Sequence, residues 1–422
     1  MAFKINSQWF SNVLCIFYFT IPLWRATVFH ILPAGGAFLV LCLLILIACS
    51  ILIEPHGLLR YVDVYVFFLV LGALLGGALF LNPSVREWLT REYGVSLVLF
   101  QGSIFVYPVL RLQKSPEILI RNMKYAAIIL GLYYAYMALE PLKKGYWTYV
   151  QFGVTKQSYA NMSWSYGVLL VILIFCVCAI YEKKWILLLP VPVGLLLILQ
   201  YGSRGSVISF IIAAVLYILI GKKNQLDWKK IVLILMLTLL ILFVISNPGI
   251  ELIKSLVHGT GIKSRFVDTF LNTIEGKKTI EDESNGRERI WKHVIRMIQE
   301  QPMGYGPMGH RTSIYKIGIK WGYSHNLFLD WLAEYGVILG FMMILGLSFI
   351  IIRLFNRITE LSERLILILI IGVSCEMLFS AYYWLHIGIW SLLALYMNHF
   401  GPGWKKSPRD QLLLQIKTRM QV

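Results

Sequence analysis

Long apolar blocks recur along most of this sequence, and they limit what the chain can fold into more than any other feature. An α-helix rises about 1.5 Å per residue, so a block of about 20 apolar residues crosses a hydrocarbon core roughly 30 Å thick. Hydrophobic residues make up 58% of the chain and charged residues 14%, whereas soluble domains contain about 45–50% and about 25%. The sequence therefore predicts an all-α polytopic membrane protein.

The apolar blocks predict about twelve transmembrane helices and one long loop. The candidate spans lie near 9–31, 35–53, 61–81, 95–112, 123–140, 160–181, 185–201, 204–221, 230–247, 327–352, 364–384 and 386–400. Helices 1 to 9 therefore fall within 1–247, and helices 10 to 12 within 326–400. The interval 248–325 is expected to be a large extracytoplasmic loop, and 401–422 a basic tail.

Cations in the short loops predict the orientation of the helices. With the N-terminus in the cytoplasm, the basic clusters within 111–124, 183–184, 222–230 and 353–364 share that side with the C-terminal tail. Loops on the other side hold few cations, and the long segment 248–325 falls there. The net charge of +17 suits both anchoring to an anionic leaflet and binding of an anionic ligand, and it does not separate the two.

The outer segment also contains a predicted amphipathic helix and a tight turn. Apolar residues at helical spacing line one face, namely Ile290, Trp291, Val294, Ile295 and Ile298. This helix opens at Gly286 and ends before Pro302. The run PMGYGPMG at 302–309 predicts a Gly-rich turn. We expect the helix to lie on the membrane surface or to cap the bundle.

Arg204 stands between two apolar blocks, in the stretch YGSRGS at 201–206. An arginine at this depth is usually paired or functional, and the alternative is an anchor on lipid head groups. Its small neighbours leave room for a bulky ligand, which favours a functional role. Ser203 is a candidate for substrate contact, but it lacks the Gly-x-Ser-x-Gly spacing of a nucleophile elbow.

Arg287 and Arg289 open the amphipathic helix, where free N–H groups and the helix dipole favour an anion. A guanidinium adds a planar fork that fits phosphate oxygens. Arg287 is the stronger candidate for phosphate binding, and Arg289 and Arg265 are weaker ones. Solvated surface charge is the alternative for each of them.

His325 and Asn326 stand where the outer segment meets the next apolar block. The ordinary pKa of histidine, about 6.5, suits removal of a proton from an attacking hydroxyl. The alternative is a plain interfacial residue. Asn326 is expected to orient the histidine or to bind a sugar. Asp330 lies too far round the next helix for an i+4 partner of His325, and His310 is interpreted as structural.

Three short blocks occur in a fixed order, and together they resemble a known family. GSRG at 202–205 opens a span, GRERIW at 286–291 precedes the Gly-rich turn, and SHNLFL at 324–329 precedes EYG at 334–336. Their order, combined with the predicted topology, resembles the bacterial O-antigen polymerase and ligase family of membrane glycosyltransferases. The resemblance covers roughly the middle third of the chain.

That resemblance implies a GT-C-like fold and transfer of a glycan from undecaprenyl diphosphate at the outer face of the bacterial inner membrane. It implies that Arg204 and Arg287 hold the diphosphate and that His325 is central to catalysis. Further substrate-binding candidates are Arg265, Arg289, Ser203, Asn326 and Tyr305. Neither a cofactor nor a metal ion is expected, and the outer segment contains no Asp-x-Asp pair.

Three functions remain open on the sequence. A polymerase joins lipid-linked repeat units into a surface polysaccharide, and the Gly-rich turn and the SHNLFL block favour it. A ligase passes the finished glycan to lipid A–core. A flippase would need charged or broken helices near the bilayer midplane, which most of the predicted spans lack. The expected partners are the lipid-linked donor, a glycan or lipid-core acceptor and membrane lipids, with a chain-length regulator as an additional candidate and no nucleic acid.

Overall fold

The structure is a computed structural model that describes residues 6–28, 35–81, 83, 85–86, 103–151, 154–158, 160–220, 287–318, 322–401 and 404. The predicted span 230–247, the candidate Arg265 and nearly all of the basic tail lie outside the described residues. Within the described ranges, the chain is mostly helical.

The helices follow in chain order as α1 (Ser7–Phe19), α2 (Ile21–Ala26), α3 (Gly35–Leu52), α4 (Gly57–Arg60), α5 (Val62–Leu81), α6 (Val106–Arg111), α7 (Pro116–Lys144), α8 (Met162–Glu182), α9 (Pro190–Tyr201), α10 (Arg204–Ile220), α11 (Arg287–Glu300), α12 (His310–Lys316), α13 (Leu327–Arg357), α14 (Leu361–Ser374), α15 (Glu376–Phe379) and α16 (Ile387–Phe400). Short 3₁₀ turns occur at Ser103–Phe105, Trp185–Leu188 and Tyr383–Leu385. An antiparallel hairpin, β1 (Trp147–Gln151) with β2 (Val154–Ser158), was not part of the all-helical expectation.

Among the described residues, four helices are long and apolar enough to cross a membrane, namely α5, α7, α8 and α13. Shorter apolar helices at Gly36–Leu52, Trp185–Tyr201 and Gly205–Leu219 match three further predicted spans. This is the architecture of an integral membrane protein. The predicted number of twelve spans stays a prediction.

α8 is the central helix of the bundle, and α13 lies at its edge. In the most apolar window of α8, 72% of the residues are buried, against 11% in α13. α8 packs against α7, α9, α10 and α14. The exposed side chains of α13 include Ile338, Leu339 and Met342, as expected of a helix that faces lipid.

One end of the bundle is joined by ion pairs. Arg111 of α6 binds both carboxylate oxygens of Asp63 in α5, at 2.6 and 2.8 Å, and also donates to Asn398 in α16. Lys124 of α7 pairs with Glu182 at the end of α8. Arg111, Lys124 and their acidic partners therefore lie towards one end of the bundle. That this end faces the cytoplasm stays a prediction.

The opposite end holds the start of α8 and α10 and the end of α9. Asn161 caps α8 by accepting from the backbone N–H of Trp164 at 3.0 Å. Its own N–H donates to the carbonyl of Tyr201 at 3.0 Å, and the indole of Trp147 in the hairpin donates to the same carbonyl at 3.2 Å. These contacts bring the hairpin, α8 and the α9–α10 junction together at this end.

The predicted amphipathic helix is confirmed as α11, which packs against α12 and α13. Its buried residues are Ile290, Val294 and Met297. Ile295 is 45% exposed, so the buried face is rotated from the predicted one and takes in Met297 instead.

The Gly-rich turn docks onto a break in α13. The N–H groups of Tyr305 and Gly306 donate to the carbonyls of Ala333 and Glu334 at 2.9 and 2.8 Å. Gly336 interrupts the helix with φ of 80°, a conformation that favours glycine. A Cβ at Gly336 would lie 2.6 Å from the backbone of Met303, so this close approach also requires glycine.

Candidate active site

All three sequence motifs reach Ser380, a buried residue in the irregular segment between α15 and α16. The Arg287 guanidinium Nη2 lies 3.5 Å from the Ser380 hydroxyl oxygen, and Nδ1 of His325 lies 3.3 Å from the Ser380 carbonyl oxygen. A Cβ built on Gly205 would lie 3.7 Å from that same hydroxyl. Residues far apart in the chain therefore meet at one point.

Two tyrosines complete this group. Tyr166 of α8 donates to the Ser380 hydroxyl at 3.3 Å, and Tyr323 donates to the Ser380 carbonyl at 3.0 Å. We call Tyr166, Arg287, Tyr323, His325 and Ser380 the Ser380 cluster. Ser380 holds it together because both its hydroxyl and its carbonyl accept hydrogen bonds.

The backbone at His325 is in the left-handed region, with φ of 58°, which few non-glycine residues adopt. The ring packs against Tyr323, with 4.4 Å between ring centres. Because the Ser380 carbonyl only accepts, the neutral imidazole carries its proton on Nδ1 and keeps a lone pair on Nε2. Nε2 is therefore the nitrogen that can take up a proton.

The surroundings keep His325 neutral. Burial, followed by the positive charge of Arg287, lowers the pKa of His325 to about 4, although the Ser380 carbonyl and Asp330 act in the opposite direction. The imidazole is therefore unprotonated at neutral pH. An anion bound at Arg287 would offset part of that positive charge and raise the pKa of His325, which would make it a stronger base.

Arg204 starts α10 at this same end of the bundle. The N–H of Ser203 donates to the hydroxyl of Ser165 at 3.0 Å, and the Ser203 hydroxyl lies 3.3 Å from that of Ser206. A Cβ at Gly205 would lie 2.0 Å from the Tyr166 hydroxyl. Only glycine lets α10 approach the Ser380 cluster this closely, and the same approach brings the backbone of Arg204 to it.

The other predicted site residues have different surroundings. Arg289 is exposed and donates to the carbonyl of Ile317 at 3.5 Å. The Tyr305 hydroxyl donates to the carbonyl of Met297 at 3.3 Å, within the outer segment. Asn326 caps α13, since its side-chain oxygen accepts from the N–H groups of Phe328 and Leu329 at 3.0 and 3.2 Å.

Comparison with protein families identifies the region that holds the three motifs. Residues 191–345 match the family model described as O-antigen ligase. The predicted resemblance to the O-antigen polymerase and ligase family is confirmed over these residues. No curated protein and no solved structure matches the chain. Tyr166 and Ser380 lie outside the range matched by the O-antigen ligase model, so the cluster joins that region to helices on either side of it.

Sequence reasoning missed a second polar group beside the Ser380 cluster. His310 is fully buried, with Nε2 at 2.9 Å from Asp330 and Nδ1 at 3.3 Å from Glu334. Arg311 is also buried, and its guanidinium carbon lies 4.5 Å from the centre of the Tyr382 ring. The available signal was a pair of acidic residues one helical turn apart in an otherwise apolar helix.

This second group is not arranged as a metal site. Asp330 and Glu334 face opposite nitrogens of one imidazole ring, so their oxygens do not converge on a shared point. Across the described ranges, no group of three or more His, Cys, Asp or Glu side chains is placed to hold a metal ion.

Proposed function

We propose that this chain polymerises undecaprenyl-diphosphate-linked oligosaccharide repeat units into a surface polysaccharide, as an O-antigen polymerase. The observation that supports the proposal best is the meeting of Arg287, His325 and the start of α10 around Ser380. The family match supports O-antigen ligase or polymerase chemistry. Beyond this chemistry, we propose that the reaction is polymerisation and that the donor is linked to undecaprenyl diphosphate.

In the proposed reaction, the acceptor hydroxyl oxygen attacks the anomeric carbon of the donor glycan from the face opposite the diphosphate. A new glycosidic C–O bond forms as the bond between the anomeric carbon and the phosphate oxygen breaks. The bonding electrons leave with undecaprenyl diphosphate, and the hydroxyl proton passes to Nε2 of His325. One displacement of this kind inverts the anomeric configuration.

The two arginines stabilise the leaving group. Charge builds up on the departing phosphate in the transition state, and preplaced cations act strongly on it in a partly buried site. The contact of Arg287 with Ser380 and its effect on His325 support this role, and Arg204 is assigned to it from the resemblance. With two guanidinium groups in this role, the proposed mechanism involves neither a metal ion nor a cofactor.

Donor binding also prepares the base. The diphosphate would offset the positive charge of Arg287, which is one of the causes of the low pKa of His325. The histidine then becomes basic enough to accept the proton only when donor is bound. This coupling limits proton uptake by an empty site.

The proposal places the Ser380 cluster on the extracytoplasmic face of the bacterial inner membrane, with both termini in the cytoplasm. The loop charges support this orientation. The polyprenyl chain would lie among the apolar helices, and the diphosphate would sit at the cluster. Repeat units would arrive on the outer face already attached to their carrier.

A ligase is the second candidate, because the matching family model is described as O-antigen ligase. The donor and the chemistry at the cluster would be the same. Only the acceptor would differ, since a ligase would pass the glycan to lipid A–core.

Reconstitution tests these functions directly. The full-length protein in liposomes receives fluorescent undecaprenyl-diphosphate-linked oligosaccharide, with and without lipid A–core. A ladder of longer lipid-linked glycans from the donor alone supports the polymerase, whereas a product that requires lipid A–core supports the ligase. Donor that crosses the bilayer with unchanged mass would contradict both and indicate a flippase. His325→Asn serves as the control, since asparagine tolerates the left-handed backbone.

A further inference from the structure

Two carboxylates on α13 contact the two loops that form the Ser380 cluster. Asp330 and Glu334 are one helical turn apart and almost fully buried. Asp330 Oδ1 accepts from the backbone N–H of Ser324 at 2.9 Å. Ser324 immediately precedes His325, so this contact fixes the loop that carries the histidine.

Glu334 holds the other loop. Its carboxylate accepts from the hydroxyl of Tyr382 and from that of Tyr383, the latter at 2.5 Å. Both tyrosines follow Ser380 closely in the segment before α16. The two hydrogen bonds therefore fix the position of the Ser380 carbonyl, which accepts from His325.

His310 joins the two carboxylates. It contacts Asp330 through Nε2 at 2.9 Å and Glu334 through Nδ1 at 3.3 Å. Arg311 follows it in the chain and stacks on Tyr382 and Tyr323. Buried carboxylates are stable only when paired or hydrogen-bonded, and Asp330 has the Ser324 N–H and His310 as partners, whereas Glu334 has the hydroxyls of Tyr382 and Tyr383.

The backbone at His325 shows why such support is needed. A left-handed, non-glycine residue persists only where the surrounding structure fixes it. Ser324 supplies part of this support, because its hydroxyl donates to the carbonyl of Asn326 at 2.8 Å and accepts from the N–H of Asn326 at 3.1 Å. Asp330 holds Ser324 itself in place.

We infer that Asp330 and Glu334 act as a carboxylate clamp, which holds the His325 loop and the Ser380 loop in the alignment where His325 Nδ1 meets the Ser380 carbonyl. Both are positioning residues, because they contact the loops and not the reacting atoms. The effect on catalysis rests on the proposed function. The effect on His325 itself does not.

Removal of two hydroxyls tests the clamp while both aromatic rings stay in the core. The double variant Tyr382→Phe/Tyr383→Phe keeps both rings and deletes the two hydroxyls that donate to Glu334, while the Trp384 indole N–H at 3.5 Å and His310 remain beside the carboxylate. The matched control is Tyr107→Phe, which deletes a tyrosine–carboxylate hydrogen bond of 2.7 Å to Asp63 at the opposite end of the bundle.

The first readout is independent of any enzymatic activity. Carbethoxylation of His325 is followed by mass spectrometry between pH 4 and pH 8 on the full-length protein in nanodiscs. Release of the Ser380 loop should expose the ring, speed the modification at least about fivefold and move its midpoint upward towards the ordinary histidine value of about 6.5. The Tyr107→Phe profile should match the wild type. An unchanged profile in the double variant would overturn the inference.

The second readout is glycan transfer. We expect kcat of the double variant to fall at least about tenfold while the Kd for undecaprenyl diphosphate stays within about threefold, because the arginines are untouched. Asp330→Asn keeps an acceptor for Ser324 and should retain more activity than Asp330→Ala. Equal losses in kcat and affinity would indicate a merely structural role.

The two readouts separate failure of the clamp from failure of the proposed function. A changed modification profile in a protein that transfers no glycan would uphold the clamp and contradict the enzyme. Normal transfer with unchanged profiles would uphold the enzyme and contradict the clamp.

Discussion

Arg111 and Arg287 stand at opposite ends of the same bundle and have different partners. Arg111 is 1% exposed and is bound by both oxygens of Asp63. Arg287 contacts the hydroxyl of Ser380, and its charge acts on His325 strongly enough to help lower the pKa of that ring. A guanidinium neutralised by a bidentate carboxylate fastens helices together. A guanidinium beside a neutral imidazole lowers the pKa of that ring and, in the proposed function, binds the diphosphate.

The ends also differ in their other contacts. At the Arg111 end, Lys124 pairs with Glu182, and His399 contacts Glu363 at 2.6 Å. At the Arg287 end, the contacts to Ser380 come from hydroxyl, guanidinium and imidazole groups. Histidine–carboxylate pairs occur at the second end as well, where His310 contacts Asp330 and Glu334. The Ser380 cluster is what distinguishes that end, and the proposed function assigns the chemistry to it.

The largest expected effect is at His325. His325→Asn should lower the rate of glycan transfer about 10²- to 10⁴-fold, the usual contribution of a general base. Asparagine tolerates the left-handed backbone, so the loop should keep its shape. Transfer by the purified variant in liposomes measures this. Activity near the wild-type rate would show that the ring is not the base and that the Arg287 end is not catalytic.

A pair of arginine substitutions compares the ends directly. Arg287→Gln should lower kcat about 10²- to 10³-fold, as loss of an electrostatic contact to the transition state usually does. Arg111→Gln should instead lower the free energy of unfolding by about 3 kcal/mol, because the half-buried carboxylate of Asp63 loses its guanidinium partner and keeps the Tyr107 hydroxyl. Thermal unfolding and transfer per folded molecule distinguish the two. The comparison fails if Arg111→Gln acts mainly on kcat.

The pH dependence of transfer tests whether His325 has the low pKa to which the positive charge of Arg287 contributes. Because the pKa of His325 is lowered to about 4 in the folded chain, transfer at saturating acceptor and low donor should persist down to about pH 5 and fall as the pH drops through about 4. The folded state binds fewer protons here than the unfolded state, whose histidine titrates near pH 6.5. Stability from this group is therefore complete above about pH 6.5 and declines as the pH falls from there towards 4.

Arg287→Gln should raise the His325 midpoint, because one cause of its low pKa is then removed. The pH profile of His325 carbethoxylation measures this shift, with Arg111→Gln as the control from the opposite end. A midpoint that stays at the wild-type value in Arg287→Gln would attribute the low pKa to burial alone, and an equal shift in both variants would show that the effect is not specific to Arg287.

The smallest expected effects come from two helix caps. Asn326 caps α13 beside the cluster, and Asn6 caps α1 at the other end, where its side chain accepts from the N–H of Trp9 at 3.0 Å. Asn326→Ala and Asn6→Ala should each cost about 1 kcal/mol of stability. Thermal unfolding measures both. A rise in KM confined to Asn326→Ala would restore the sugar-binding role predicted for Asn326.

Local sequence patterns predicted which segments form helices better than they predicted where those helices end. The 3.6-residue period correctly located α11, and three polar motifs marked the matched region. The predicted span 364–384 instead ends as a helix at Ser374 and continues through α15 and an irregular segment. Hydropathy records apolar composition, and it does not record where an apolar backbone leaves the helix.

The meeting of Arg287, His325 and Ser380 depends on long-range packing, which no local pattern contains. The hairpin of β1 and β2 was missed for a related reason, since two five-residue strands between long apolar blocks give little periodic signal. His310 was set aside because its partners, Asp330 and Glu334, lie on a helix that follows it by a turn and a loop.

The proton position on His325 is set by a main-chain carbonyl, which every residue type at position 380 would supply. Selection can therefore change the side chain there without changing the tautomer of the histidine. The contact that fixes the tautomer therefore leaves no mark in the sequence, whereas the contacts of Tyr166 and Arg287 depend on the hydroxyl of Ser380.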